Sequence, residues 1–206
     1  MSNFDLLIRN GTVATAADTF QADVAIKDGR VVALGHDLGT AEQEIDAAGK
    51  LLLPGGIEGH CHIEQISSSR VMTADDFYSG TVSAVFGGTT TVIPFAAQQK
   101  GDSLRQTVED YHACAGPKAV IDYGFHLIIS DPSDQVIGQE LPALIKDGYT
   151  SFKVYMTYDD LRLDDYQMLE VLSAARRDGA MVMVHAENHD MIRWLSEKLL
   201  DAGHWQ

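Results

Sequence analysis

Short apolar runs separated by turn dipeptides dominate the first quarter of the chain. Three segments have the pattern of strands: FDLLIRNGTV, ADVAIKDGRVVAL and EIDAAGKLLL. The dipeptides Asn10-Gly11 and Asp28-Gly29 favour tight turns between antiparallel strands. The pattern therefore predicts a small β subdomain over residues 1–53.

After this region, apolar strand runs alternate with amphipathic stretches of helical length. The predicted strands are LLLPGGIEGHCH from Leu51, TTTVIPFA from Thr89, VIDYGFHLIIS from Val120, SFKVYM from Ser151 and MVMVHAE from Met181. The predicted helices lie near residues 74–86, 102–114, 134–146, 164–177 and 189–202. In the fourth helix, Asp164 can cap the first turn and Gly179 can end the last. This alternation is typical of βα units on a parallel sheet, and it predicts five such units over residues 54–206.

Two α/β architectures fit this periodicity. A complete (β/α)8 barrel of the TIM type takes about 250 residues, so residues 54–206 would form only part of one. An open, doubly wound sheet of five strands is the alternative, and periodicity alone leaves it open. The candidate chemistry described below favours the partial barrel.

Charge and composition restrict the partners. With 30 acidic and 15 basic side chains, the formal net charge of -15 repels nucleic acid and anionic membrane surfaces. No stretch approaches the roughly 18 apolar residues of a membrane span, and no signal peptide is evident. The two cysteines, Cys61 and Cys114, are too few for a disulfide framework. A cytoplasmic location is therefore predicted.

A His-x-His pair lies at the end of the first predicted βα strand. Because side chains alternate along a strand, His60 and His62 share a face and could bind one metal ion. The alternative is two polar residues at a strand end. Cys61 points the other way, so we assign it to packing and not to metal binding.

His185 and Lys153 are two further polar residues in predicted strands. His185 ends the apolar run MVMVHAE, at the edge where barrel enzymes keep their chemistry, although a hydrogen-bonded core histidine would look the same. Lys153 lies between Phe152 and Val154. Burial disfavours the ammonium and frees a nucleophilic amine. The alternative is a lysine paired with a carboxylate inside the barrel.

These motifs resemble the dihydropyrimidinase, hydantoinase and allantoinase branch of the amidohydrolase superfamily. The resemblance covers essentially the whole chain, through LLIRNGTV, PGGIEGHCH, GGTTTVI, SFKVYMTY and VHAEN. It implies that His60 and His62 bind the more buried of two zinc ions and that His185 binds the second. It also implies that Lys153 is carboxylated by carbon dioxide and that the resulting carbamate bridges both ions.

The same resemblance implies hydrolysis of a cyclic amide. Tyr158 matches the tyrosine that hydrogen-bonds the substrate carbonyl as it becomes an oxyanion, whereas Tyr155 belongs to the strand and lines the site. The family's sixth-strand histidine ligand and eighth-strand aspartate lie outside these residues. The chain is therefore expected to be a fragment of the full enzyme, and its independent activity is left open.

Several positions bear on the substrate. Relatives that open dihydroorotate have an arginine where this chain has Glu64, whose charge would repel a carboxylate, so neutral hydantoin or dihydropyrimidine rings are expected. The loops after strands one, two and four, with Ile66, Phe95 and Tyr158, are expected to form the walls of the pocket for the ring substituent, although Ile66 could be an ordinary surface apolar residue. Glu58 replaces the more usual aspartate, a change expected to alter only a contact behind the metal ligands.

Two other functions stay open at this point. The family contains another cyclic amidase, allantoinase, and also non-enzymatic scaffolds that keep the fold and assemble as oligomers. Scaffold relatives have lost metal ligands, whereas the four positions in this chain are filled. A homotetramer in the full-length form is expected from the resemblance.

Overall fold

The computed structural model of the protein describes residues 3–66 and 71–205. By its internal contacts the chain divides between Gly55 and Gly56 into two compact units. None of the helices in the described ranges is long and apolar enough to cross a membrane.

The first unit is a five-stranded sheet. Its strands are β1 (Phe4–Ala14), β2 (Thr19–Lys27), β3 (Arg30–Gly35), β4 (Ala41–Asp46) and β5 (Leu51–Leu52). Strand β1 lies between β2 and β4 and also pairs with β5. The hairpin from β2 to β3 turns at Asp28 and Gly29, which have φ of 50° and 70°, as their dipeptide predicts.

The predicted turn at Asn10-Gly11 is wrong, because β1 runs straight through it. Asn10 has φ of 60°, and the register with β2 shifts between Ile8 and Gly11, which marks a β-bulge. The backbone N–H of Asn10 donates a hydrogen bond to Asp23 Oδ1 at 2.9 Å. A Cβ on Gly11 would lie 2.3 Å from Leu52 Cδ1, so the glycine is needed for close packing.

The second unit is a parallel sheet with helices in its crossovers. Its strands are β6 (Gly56–Cys61), β7 (Thr89–Ala97), β8 (Asp122–Tyr123), β9 (His126–Ile128), β10 (Ser151–Tyr155) and β11 (Met181–His185). Its helices are α1 (Phe77–Phe86), α2 (Leu104–Ala115), α3 (Leu141–Lys146), α4 (Asp165–Asp178) and α5 (His189–Asp201). A π-helical turn over Val136–Glu140 leads into α3. Two predicted strands are divided: LLLPGGIEGHCH forms β5 and β6, and VIDYGFHLIIS forms β8 and β9.

Strand order decides between the two architectures. The sheet runs β6-β7-β9-β10-β11, with β8 also paired to β7, so the successive strands are neighbours. A doubly wound sheet instead reverses direction at a switch point. The described sheet has no reversal and is curled into a half-barrel, so the prediction of an α/β partial barrel with a separate N-terminal sheet is confirmed.

Local sequence explains the helices. The Asp164 side chain accepts a hydrogen bond from the backbone N–H of Gln167 at 2.8 Å and so caps the start of α4. Gly179, with φ of 85°, ends this helix. Phe77, Leu104 and Phe152 are fully buried in one cluster between helices and sheet. By contrast, α5 buries none of its residues.

Candidate metal centre

Parallel pairing brings the predicted metal ligands to one edge of the sheet. Strands β6, β10 and β11 are members of the same parallel sheet, so their C-terminal ends lie on the same side. Tyr155 is in register with His185, and Lys153 with Met183. This edge is where barrel enzymes place their chemistry.

The two histidines of the His-x-His pair lie on the same side of their strand. The ring centroids of His60 and His62 are 4.8 Å and 5.0 Å from that of Phe95, and 6.0 Å from each other. Cys61 faces the opposite way and packs against the hydrophobic core. Burial, reinforced by Glu58, raises the pKa of the Cys61 thiol to about 11, which favours the protonated thiol and agrees with a packing role.

Phe95 does not have the position that the sequence suggested. It lies inside β7 and not in the loop that follows, and its side chain is 1% exposed. A ring this buried offers no surface to a substrate in the described structure. The ring instead packs against the rings of both histidines, and its predicted role in the pocket wall stays a prediction.

Lys153 is buried without a counter-ion. The residue is 8% exposed, and its Nζ lies 5.4 Å from the ring centroids of both Phe95 and Tyr155. Within residues 3–66 and 71–205 no carboxylate lies within ion-pair distance of this amine. The alternative of a lysine paired inside the barrel is therefore not what the described residues show.

His185 belongs to a second aromatic group around Tyr155. Its ring stacks on Tyr155 with centroids 5.5 Å apart, and lies 5.2 Å from the ring of Tyr158. Its Nε2 is 2.5 Å from Glu187 Oε2 and 3.5 Å from the Tyr158 hydroxyl. Lys153 therefore lies between a group that holds two histidines and a group that holds the third.

Tyr158 has a backbone conformation that is unusual for a bulky residue. Its φ is 71°, in the left-handed region, and its carbonyl accepts from the amides of Leu161 and Arg162. Such strain recurs at functional sites. The side chain is 43% exposed, so its hydroxyl can be reached by a small molecule.

Contacts behind the histidines hold the first strand end in place. Gln65 Oε1 lies 2.5 Å from His62 Nδ1, and Glu58 Oε1 accepts from the His60 amide at 2.8 Å. The longer Glu58 carboxylate thus binds backbone within its own strand. Ile66 is 61% exposed and forms a bridge with Met72, and its predicted pocket role stays a prediction.

Sequence reasoning missed His126, which lies on β9 in the barrel interior. Its Nε2 donates a hydrogen bond to the Gly59 carbonyl at 3.0 Å, and its Nδ1 is 2.5 Å from Ser151 Oγ. Burial lowers the pKa of His126, which favours the neutral ring. The available signal was a histidine between Phe125 and Leu127, the same anomaly that revealed Lys153.

Glu64 differs from its predicted role. Its carboxylate pairs with Lys118 and accepts from the Phe77 amide at 3.1 Å. Hydrogen bonding and the charge of Glu64 raise the pKa of the Lys118 ammonium, which favours its charged form beside Glu64. Because this carboxylate is compensated, repulsion by Glu64 no longer argues against an anionic substrate.

The donor set determines whether a metal fits. In the part of the chain that the structure describes, no group of three or more His, Cys, Asp or Glu side chains could hold a metal ion. Two imidazoles lie on one side of Lys153 and one on the other, and zinc prefers four ligands. The chain's donors therefore fit a metal centre only if a bridging group on Lys153 and further ligands complete it.

Comparison with known proteins supports the same family. The Amidohydrolase family model matches residues 51–204. The chain is 48% identical over 201 residues to a D-hydantoinase of Geobacillus stearothermophilus, covering 96% of this chain and 42% of that protein. It is 42% identical over 206 residues to a dihydropyrimidinase of Rattus norvegicus, covering 96% of this chain and 39% of that protein. The chain thus spans less than half the length of these relatives.

Solved structures agree with the sequence matches. A D-hydantoinase structure superposes with a TM-score of 0.94 at 44% identity, over 98% of this chain and 44% of that one. The dihydropyrimidinase of Brevibacillus agri NCHU1002 has a TM-score of 0.91 at 44% identity, over 96% of this chain and 43% of that one. The chain therefore belongs to the amidohydrolase family, and its relatives there include D-hydantoinases and dihydropyrimidinases.

Proposed function

We propose that this chain carries the first part of the active site of a cyclic amidase that opens hydantoin or dihydropyrimidine rings. Its histidines and a carboxylated Lys153 would hold two zinc ions, which would supply the nucleophilic water for this reaction. The observation that carries the proposal is the buried Lys153 amine, which has no carboxylate partner among the described residues and lies between two histidine-bearing aromatic groups.

Each ligand has a defined part in this proposal. His60 and His62 would hold one zinc ion, and His185 would hold the other. Carboxylation of Lys153 supplies the bridge: the neutral amine attacks the carbon of carbon dioxide, an N–C bond forms, and a proton leaves to solvent. The neutral amine would thereby become an anion, which two divalent cations would attract.

Bound zinc ions would supply a nucleophilic water at neutral pH and polarise the ring carbonyl. The chain's own contribution to bond cleavage is the Tyr158 hydroxyl, which donates a hydrogen bond to the carbonyl oxygen as negative charge develops there. Its exposure and its proximity to His185 support this role. The buried Phe95 ring keeps water from beneath the first histidine pair.

The names of the relatives support the substrate class, because those proteins are described as D-hydantoinases and a dihydropyrimidinase. Both ring types contain the amide that this chemistry opens. The pairing of Glu64 with Lys118 removes the charge argument for neutral rings, so the assignment depends on these relatives. Cytoplasmic location and a homotetramer stay predictions.

Metal content and ring opening test the proposal together. The native protein, meaning this chain with any sequence that adjoins it in the cell, is purified and its zinc is measured. We expect two zinc ions per subunit and hydrolysis of hydantoin or dihydrouracil in a panel that also includes allantoin and dihydroorotate. A protein without zinc and without activity on any of these rings would support the scaffold function instead.

A further inference from the structure

The two ring nitrogens of His185 have different surroundings. Nε2 lies 2.5 Å from Glu187 Oε2. An ionised carboxylate can only accept hydrogen bonds, so the proton of this contact belongs to Nε2. In a neutral imidazole, the lone pair is then on Nδ1.

We infer that Glu187 is a positioning residue that holds His185 in the tautomer whose Nδ1 is free to bind a metal. The inference rests on the proposed function, in which His185 is a zinc ligand. Histidines that bind metals commonly donate their other N–H group to a carboxylate or carbonyl, which fixes the ring and its tautomer. Glu187 is two residues beyond His185, where the chain leaves β11.

The same contact keeps the Tyr158 hydroxyl available. That hydroxyl is 3.5 Å from His185 Nε2 and could donate to it if the nitrogen carried no proton. With its proton directed to Glu187, Nε2 cannot accept. Tyr158 can then donate to a substrate carbonyl, so one carboxylate serves both the metal ligand and the oxyanion contact.

Gln65 provides an internal precedent for this arrangement. Its side-chain carbonyl lies 2.5 Å from His62 Nδ1, so Nδ1 donates and the lone pair of a neutral ring is on Nε2. An amide oxygen can therefore replace a carboxylate in this role. Glu187 is also suited to substitution, because its side chain is 51% exposed.

The first test reads the tautomer directly in the metal-free native protein, labelled with ¹⁵N in histidine. The variants are Glu187→Ala, Glu187→Gln and, as a control, Glu197→Gln, which removes an exposed carboxylate bound to Arg193. The His185 signal is assigned by its absence in His185→Gln. We expect the Nε2–H tautomer in the parent, Glu187→Gln and Glu197→Gln, and a mixture of tautomers in Glu187→Ala.

The second test measures the affinity for the second zinc ion by competition with a chelator. Loss of an outer partner of a metal ligand commonly weakens binding by roughly 10–100-fold, so we expect this loss in Glu187→Ala and near-parental affinity in Glu187→Gln. A Glu187→Ala variant with the parental tautomer and zinc affinity would overturn the inference. Failure of the proposed function would give a different result, because the parent protein itself would then bind no zinc.

Discussion

Lys153 is the residue whose chemistry depends most on its surroundings. A buried ammonium without a carboxylate is costly, and the aromatic faces of Phe95 and Tyr155 offset only part of that cost. The residue therefore gains from any reaction that removes its positive charge. The proposed carboxylation would do this and would also create a metal ligand.

We predict that Lys153→Ala empties at least the second zinc site of the native protein. Ring opening should fall by more than the roughly 10–100-fold that loss of an outer contact costs. Lys153→Arg should do no better, because a guanidinium stays charged and does not capture carbon dioxide. Zinc analysis with a hydrolysis assay measures both effects.

A surface lysine provides the control for that experiment. Lys146→Ala removes an exposed lysine at the end of α3 and should leave zinc and activity unchanged. Added acetate or propionate should partly restore Lys153→Ala by occupying the vacated bridge. If Lys153→Ala keeps two zinc ions and parental turnover, Lys153 is an ordinary structural lysine.

We predict that Tyr158→Phe lowers kcat while zinc content stays parental. Loss of one oxyanion donor typically costs about 10²–10³-fold in kcat, and the phenyl ring retains the contact with His185. Tyr78→Phe, which removes a hydroxyl from an exposed tyrosine on α1, is the matched control. A kcat unchanged in Tyr158→Phe would assign the oxyanion contact to another group.

Residue types in unusual places could be found from sequence, whereas their partners could not. His60, His62, Lys153 and His185 stood out because polar side chains interrupted apolar strands. The burial of Phe95 arises from pairing between strands far apart in the chain, whereas Glu187 lies only two residues from His185 and their contact depends on the path of the backbone after β11. No local pattern contains that information.

At the scale of elements, the β-bulge in β1 shows the limit of a dipeptide rule. Asn-Gly favours positive φ, and Asn10 adopts it, but the same conformation serves a bulge as well as a turn. Whether the chain forms a bulge or a turn here depends on Asp23, which accepts a hydrogen bond from the backbone N–H of Asn10 across the sheet. The apolar pattern of VIDYGFHLIIS likewise did not predict that this segment is divided near Gly124 into two strands, β8 and β9.

We predict that Gly11→Ala destabilises the first unit by about 1–3 kcal/mol, as overpacking usually does. The added Cβ would lie 2.3 Å from Leu52 Cδ1, which must then leave its cluster. Urea unfolding of the native protein measures the loss. In a Leu52→Ala background the same change should cost less, and equal costs in both backgrounds would show that the two residues do not interact.

At the scale of the whole molecule, the strand order predicts an association hazard. Strand β11 pairs only with β10 among the described strands, and Met181 on it is 58% exposed. Exposed apolar edges promote association between chains. Apolar side chains on the adjacent α5 are also exposed, namely Met191, Ile192, Trp194, Leu195, Leu199 and Leu200.

We therefore predict that the 206-residue chain alone self-associates and binds a hydrophobic dye, despite its net charge of -15. Size-exclusion chromatography with light scattering and dye fluorescence measure the two properties. The native protein, if it contains adjoining sequence that covers this edge, should show neither this self-association nor the dye binding. A monomeric chain with low dye binding and a cooperative melt would contradict the prediction.

The lack of buried residues in α5 has a consequence for amide hydrogen exchange. A helix of 13 residues is only marginally stable in water by itself, so its amides should exchange almost as fast as those of an unfolded peptide. Helix α4 buries Val171, Ala174 and Ala175 and should be protected. Deuterium uptake along α5 thus reports whether anything in solution covers its apolar face.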